Sequence, residues 1–135
     1  MPKHKSIAFI HKDPSAGISL VRIAQSAELA AHLYDSIDAF LDERGRMQPD
    51  CVVLDASISD ERALELLKQL QDKKGCSTPF ILLSRMDKPE LRQRARQLGA
   101  AGFFREPVDG EALLDAIHWA LADVMSEDQS PLQDG

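Results

Sequence analysis

Two short apolar runs, Cys51–Asp55 and Phe80–Ser84, constrain the fold more than any other feature of the chain. Neither alternates apolar with polar residues. A strand with one wet face alternates with period two, so a strand that does not alternate is covered on both faces. Helices supply that cover, and the segments between the runs have helical spacing.

The rest of the chain follows the same rhythm. Ser6–Ile10 reads as a first strand, and Ser15 or Asp13 caps a helix that begins near Ala16 and carries Ile18, Val21 and Ile23. Leu29–Tyr34 is a weaker second strand, and Ser36 caps a helix with Ile37, Phe40 and Leu41 that ends near Gly45. Pro49 precedes the Cys51–Asp55 strand. Ser59 or Asp60 opens a helix with Leu64, Leu67 and Leu70 at helical spacing, stopped by Gly75. After Phe80–Ser84, Pro89 sits in the first turn of a helix carrying Leu91, Ala95 and Leu98 and ending at Gly99. Gly102–Arg105 is the fifth strand, and Asp109 or Gly110 starts a last helix that runs to about Met125. The order βαβαβαβαβα with right-handed crossovers predicts a doubly wound parallel sheet. Residues 1–125 form one domain in this reading, and the polar segment 126–135 is a disordered tail or the start of a linker.

Composition narrows the function. A chain of 135 residues is the size of one domain. A net charge of −6 argues against direct nucleic-acid binding, which needs a basic footprint. Cys51 and Cys76 lack metal or redox spacing and fit unpaired thiols in a reducing, cytoplasmic compartment. No run approaches the roughly 18 apolar residues of a membrane span. His4, His32 and His118 are scattered without metal-ligand spacing. The loop after the first strand, His11–Gly17, has no glycine-rich phosphate cradle, which argues against a nucleotide or flavin binder, and the chain has no GxSxG hydrolase signature.

Ligands of open parallel sheets bind beyond the carboxyl ends of the strands. That rule nominates His11, Lys12 and Asp13 after strand one, Asp55 after strand three, Ser84 after strand four and Glu106 after strand five.

From Ser6 to Met125 the chain resembles the receiver domains of two-component response regulators, chemotaxis regulators among them. Residues 49–67 look like the family's third strand and following helix, with Asp55 at the phosphoacceptor position. Ser84 falls on the hydroxyl switch position and Phe103 on the aromatic one. Residues 99–107 match the segment that ends in the family's Lys-Pro pair. The resemblance implies a flavodoxin-like (βα)5 fold with sheet order 2-1-3-4-5, a cis Glu106–Pro107 peptide, no enzymatic turnover, and histidine kinase or output-domain partners.

Three departures stand out, and the first two bear on the chemistry. Where the family has two consecutive acids the chain has His11 and Lys12, and where it has lysine the chain has Glu106. The third helix opens SISDERA, without the family's Pro- and Gly-containing turn. Aspartyl phosphorylation rests on positioning and charge neutralisation, commonly by Mg²⁺ among oxygen ligands. Opposed unit charges ~4 Å apart are worth about 4 kcal/mol at an effective dielectric near 20, so a lysine in place of a carboxylate ligand works strongly against the cation. The expectation is therefore an atypical pseudo-receiver, an interaction module with weak or no Mg²⁺-dependent phosphorylation and no resident cofactor. Asp13 and Asp55 are the ligands if a metal does bind. A conventional receiver phosphorylated on Asp55 is the alternative. A charge swap is also expected, with the Lys12 ammonium between Asp55 and Glu106. The last helix carries an apolar stripe of Leu113, Ile117, Ala120, Leu121 and Val124, with Trp119 nearly opposite. Arg92 and Arg96 on the preceding helix complement Glu111 and Asp115. Together with Phe103 these residues fall on helix 4, strand 5 and helix 5, the face through which related receivers dimerise, and the resemblance implies homodimerisation or partner docking there.

Overall fold

A computed structural model of the chain describes residues 5–43, 48–57, 59–71 and 78–123. The elements are β1 (Ser6–Ile10), α1 (Pro14–Ser26), β2 (Ala30–Tyr34), α2 (Ile37–Glu43), β3 (Cys51–Asp55), α3 (Asp60–Gln71), β4 (Phe80–Ser84), α4 (Pro89–Gln97), β5 (Gly102–Arg105) and α5 (Gly110–Asp123). The five strands form one sheet in the order β2-β1-β3-β4-β5, parallel throughout. This is the flavodoxin-like arrangement expected from the sequence.

Every residue of β3 and β4 is buried, which is why neither strand alternates. The pleat sorts their side chains into two layers. Ala8, Ile10, Val52, Leu54, Phe80 and Leu82 face one way and pack with residues of α2, α3 and α4, including Phe40, Leu67 and Leu91. Ile7, Phe9, Cys51, Val53, Ile81 and Leu83 face the other way and pack with residues of α1 and α5, including Leu20, Leu113 and Ile117.

Helix starts are set by side chains that accept the free amides of the first turn. Asp13 accepts from Ser15 N, Ser36 from Ala39 N, Ser59 from Arg62 N and Asp109 from Ala112 N. Residue 99 terminates α4 with a positive φ of +94°, a conformation that glycine adopts freely. The Glu106–Pro107 peptide is cis, as expected.

Helix α1 differs from its expected form. It begins at Pro14 rather than near Ala16, and β2 begins at Ala30 rather than Leu29. The core-facing residues of α1 are Gly17, Leu20 and Ala24, whereas Ile18 is 47% exposed. The backbone at Gly17 lies so close to β2 that an added Cβ would sit 2.7 Å from a Leu33 methyl. That close approach, invisible in an apolar count, fixes which face of the helix turns inward. The expected ends at Gly45, Gly75 and Met125, and the proposed tail, lie outside the described residues.

Candidate functional site at the carboxyl edge of the sheet

Three loop ends meet above β1, β3 and β5. The β1–β3 register pairs Ile10 with Leu54, so the next residues along each strand, His11 and Asp55, are neighbours. Both continue the rows that face α1 and α5, after Ile7 and Phe9 on one strand and Cys51 and Val53 on the other. The Glu106 amide donates to the Ser84 carbonyl at 2.8 Å, extending the β4–β5 ladder by one step. Its side chain turns to the same side as Phe104, which packs against the α1/α5 layer.

His11 lies at the centre of this group and is 2% exposed. Its Nδ1 accepts the Asp13 backbone N–H at 3.0 Å. A neutral imidazole that accepts at Nδ1 carries its proton on Nε2. That proton points at Glu106, whose two carboxylate oxygens lie 3.2 and 3.1 Å away. Asp55 is 1% exposed and accepts twice from one residue, the Ser57 amide at 3.1 Å and the Ser57 hydroxyl at 2.7 Å. The His11 Nδ1 to Asp55 Oδ2 distance is 3.6 Å, beyond hydrogen-bond reach.

The charge swap expected of Lys12 does not occur. Lys12 is exposed and makes no ion pair among the described residues. The reason is the pleat: position 12 follows position 11 and turns to the opposite face, so the side chain between Asp55 and Glu106 is His11. Asp13 serves as the N-cap of α1 and meets Arg85 at 3.4 Å. Arg85 also approaches Glu106, at 4.0 Å, but is 60% exposed on its side chain. Sequence reasoning did not single out Arg85 or Ser57, since an exposed arginine and a serine two residues after an aspartate carry no distinguishing pattern.

Ser84 is buried, and its hydroxyl is engaged locally, donating to the Met86 carbonyl at 2.8 Å. Phe103 is half-buried against the α2–α4 layer. Pro107 and Val108 line a cavity of about 220 Å³ between α1 and the β5–α5 turn, whose walls include Leu20, Ile23, His11 and Glu106. On the far side, Arg92 is exposed and reaches Asp87 at 3.5 Å. Arg96 and Asp115 are exposed and Trp119 is half-buried. Leu113, Ile117, Ala120 and Leu121 are buried, and Val124 lies outside the described residues.

Comparison with known proteins agrees with this fold. The family described as response regulator receiver domain matches residues 7–118. The transcriptional regulatory protein FixJ of Azorhizobium caulinodans is 31% identical over 121 residues, which is 90% of this chain and 57% of that protein. The chain thus spans little more than half of this relative. A response regulator receiver protein from Burkholderia phymatum superposes with a TM-score of 0.75 at 26% identity, covering 87% of this chain and 95% of that one. A CheY-like receiver domain protein from Methanospirillum hungatei superposes with a TM-score of 0.82 at 18% identity, covering 93% and 99%. The buried strands, the 2-1-3-4-5 sheet and the matched span lead to one conclusion: the chain belongs to the response regulator receiver domain family.

Proposed function

We propose that this chain is an atypical receiver, a protein-interaction module in two-component signal transduction whose Asp55 pocket supports little or no Mg²⁺-dependent phosphorylation. Receiver domains are generally non-enzymatic signal transducers, and response regulators interact with histidine kinases and output domains. The proposal concerns how this chain departs from that pattern.

The observation that carries it is the imidazole of His11. Receiver domains typically use Mg²⁺ at the phosphorylation site, and Mg²⁺ demands oxygen ligands in near-octahedral array. The group beside Asp55 after β1 is here a buried imidazole, and the next residue is the exposed Lys12. Both Asp55 oxygens are held by Ser57, and Asp13 is committed to capping α1. These residues do not fit Mg²⁺. Glu106 adds a carboxylate beside Asp55, where a transferred phosphoryl group would need a cation, and like charges repel.

A cytoplasmic location and no catalytic turnover go with this reading. So does a working surface on α4, β5 and α5, formed by Arg92, Arg96, Phe103, Asp115 and Trp119 and used for partner docking or homodimerisation. The test of the pocket is direct. Treated with a small phosphodonor and Mg²⁺, the chain should keep its intact mass. A stoichiometric phosphoryl adduct that vanishes in Asp55→Asn establishes the conventional receiver instead, the reading favoured by the retention of Asp55 itself.

A further inference from the structure

The residues that disfavour Mg²⁺ bring one imidazole and two carboxylates together. We infer that the pocket binds one divalent ion of the zinc class through a ring nitrogen of His11 and one carboxylate oxygen each from Asp55 and Glu106. The location is that of the family's metal, but two of the three ligands and the class of ion are this chain's own.

Geometry comes first. One ligand atom from each of these residues can be chosen so that all three lie within 4.8 Å of one another. Ligands held at 2.0–2.2 Å by a tetrahedral ion are separated by roughly 3.3–3.6 Å. The ring presents a different nitrogen to each carboxylate, Nδ1 at 3.6 Å from Asp55 Oδ2 and Nε2 at 3.1 Å from Glu106 Oε2, so an ion on either nitrogen has one carboxylate close and must draw in the other. A set built on one nitrogen starts from separations within 4.8 Å and closes by up to roughly 1.5 Å, through side chains on three adjoining loop ends.

Charge is the second, independent argument. The side chains of Asp55 and Glu106 are 2% and 10% exposed. Among the described residues no lysine or arginine lies within 4.0 Å of Asp55, and Glu106 has only the exposed Arg85, which it shares with Asp13. Buried carboxylates are ordinarily paired or coordinate a metal. The imidazole between them supplies no charge while Nδ1 accepts the Asp13 amide.

Ligand chemistry selects the ion. One nitrogen and two carboxylate oxygens suit Zn²⁺, Co²⁺ or Ni²⁺ and are a poor set for Mg²⁺. Binding displaces at least one present hydrogen bond of the ring. If the ion takes Nδ1, the Asp13 amide is released. If it takes Nε2, the ring proton leaves that nitrogen for solvent or for Nδ1, and in the latter case the Asp13 amide is released as well.

The experiment uses residues 1–135 without a tag. Calorimetric titration with Zn²⁺ should give one site per chain, unaffected by a hundredfold excess of Mg²⁺, and Co²⁺ should give the strong visible bands of a low-coordinate site. His11→Gln and Glu106→Gln should each weaken Zn²⁺ by tenfold or more, the scale on which metal sites respond to loss of a supporting group. A variant with His4, His32 and His118 all changed to Gln should bind as wild type does. If His11→Gln does not fold, Glu106→Gln, at the more open side of the pocket, still reports. The inference is overturned by absence of a stoichiometric Zn²⁺ site, by undiminished binding in the His11 or Glu106 variants, by loss of binding in the three-histidine variant, or by Mg²⁺ competing on equal terms. None of these outcomes involves the phosphodonor, so failure here and failure of the signalling proposal are separate results.

Discussion

His11 and Lys12 are adjacent in sequence and opposite in consequence. The imidazole is enclosed and bonded on both nitrogens, whereas the ammonium stands in solvent. Lys12→Ala should therefore shift unfolding stability by no more than about 0.5 kcal/mol, the usual range for a surface change. His11→Ala should destabilise by about 1–3 kcal/mol, because Glu106 and the Asp13 amide lose their buried partner. Equilibrium urea unfolding of the two variants separates them, and equal effects would contradict the geometry. Cys51 makes a second residue-level prediction. Burial, reinforced by the neighbouring Asp50, pushes its thiol up to about 12 from an ordinary 9.0. The folded state thus holds the proton more tightly than the unfolded state. Its contribution to stability is complete below pH about 9 and is lost as pH rises from about 9 to about 12. Stability measured across that window should fall less steeply in Cys51→Ala than in wild type. The four loop ends were legible because an acid closing a buried strand and the C-terminal-edge rule both point to them. What the sequence reading assigned to Lys12 belonged to its neighbour, although the information was present. Positions 7, 9 and 11 share one face of β1, and an apolar count along the strand does not carry that alternation past its end.

At the scale of elements, ends are governed by a handful of polar atoms. Asp109 caps α5 through the Ala112 amide at 3.1 Å, so Asp109→Ala should cost about 1 kcal/mol. Gly99→Ala should cost about 1–2 kcal/mol, since a side chain at a φ of +94° is strained. Thermal unfolding checks both, and a Gly99→Ala chain as stable as wild type would mean that the turn after α4 has relaxed to another conformation. Such ends were largely readable, because Ser, Asp, Pro and Gly act through their own local chemistry. Helix α1 was less so. Its inward face is set by the approach of Gly17 to Leu33 on β2, a contact between segments that no local pattern encodes.

The whole molecule has two regions of interest on different surfaces, the pocket at the carboxyl edge of the sheet and the α4–β5–α5 face. Arg96 and Trp119 lie on the second, and a Trp119→Ala, Arg96→Glu double variant tests it by sedimentation. If that face mediates self-association or docking, the variant should lose the assembly while keeping the wild-type fold by circular dichroism. Rim charges of this kind set orientation and encounter rate more than affinity. At the pocket, the proposal is that His11, Lys12 and Glu106 together suppress the phosphotransfer that receiver domains support. The most direct measurement compares wild type with a triple variant, His11→Asp, Lys12→Asp, Glu106→Lys, by intact mass after exposure to a small phosphodonor with Mg²⁺. One phosphoryl group is expected on the triple variant, dependent on Mg²⁺ and on Asp55, and none on wild type. Wild type phosphorylated to the same extent as the variant would contradict the proposal.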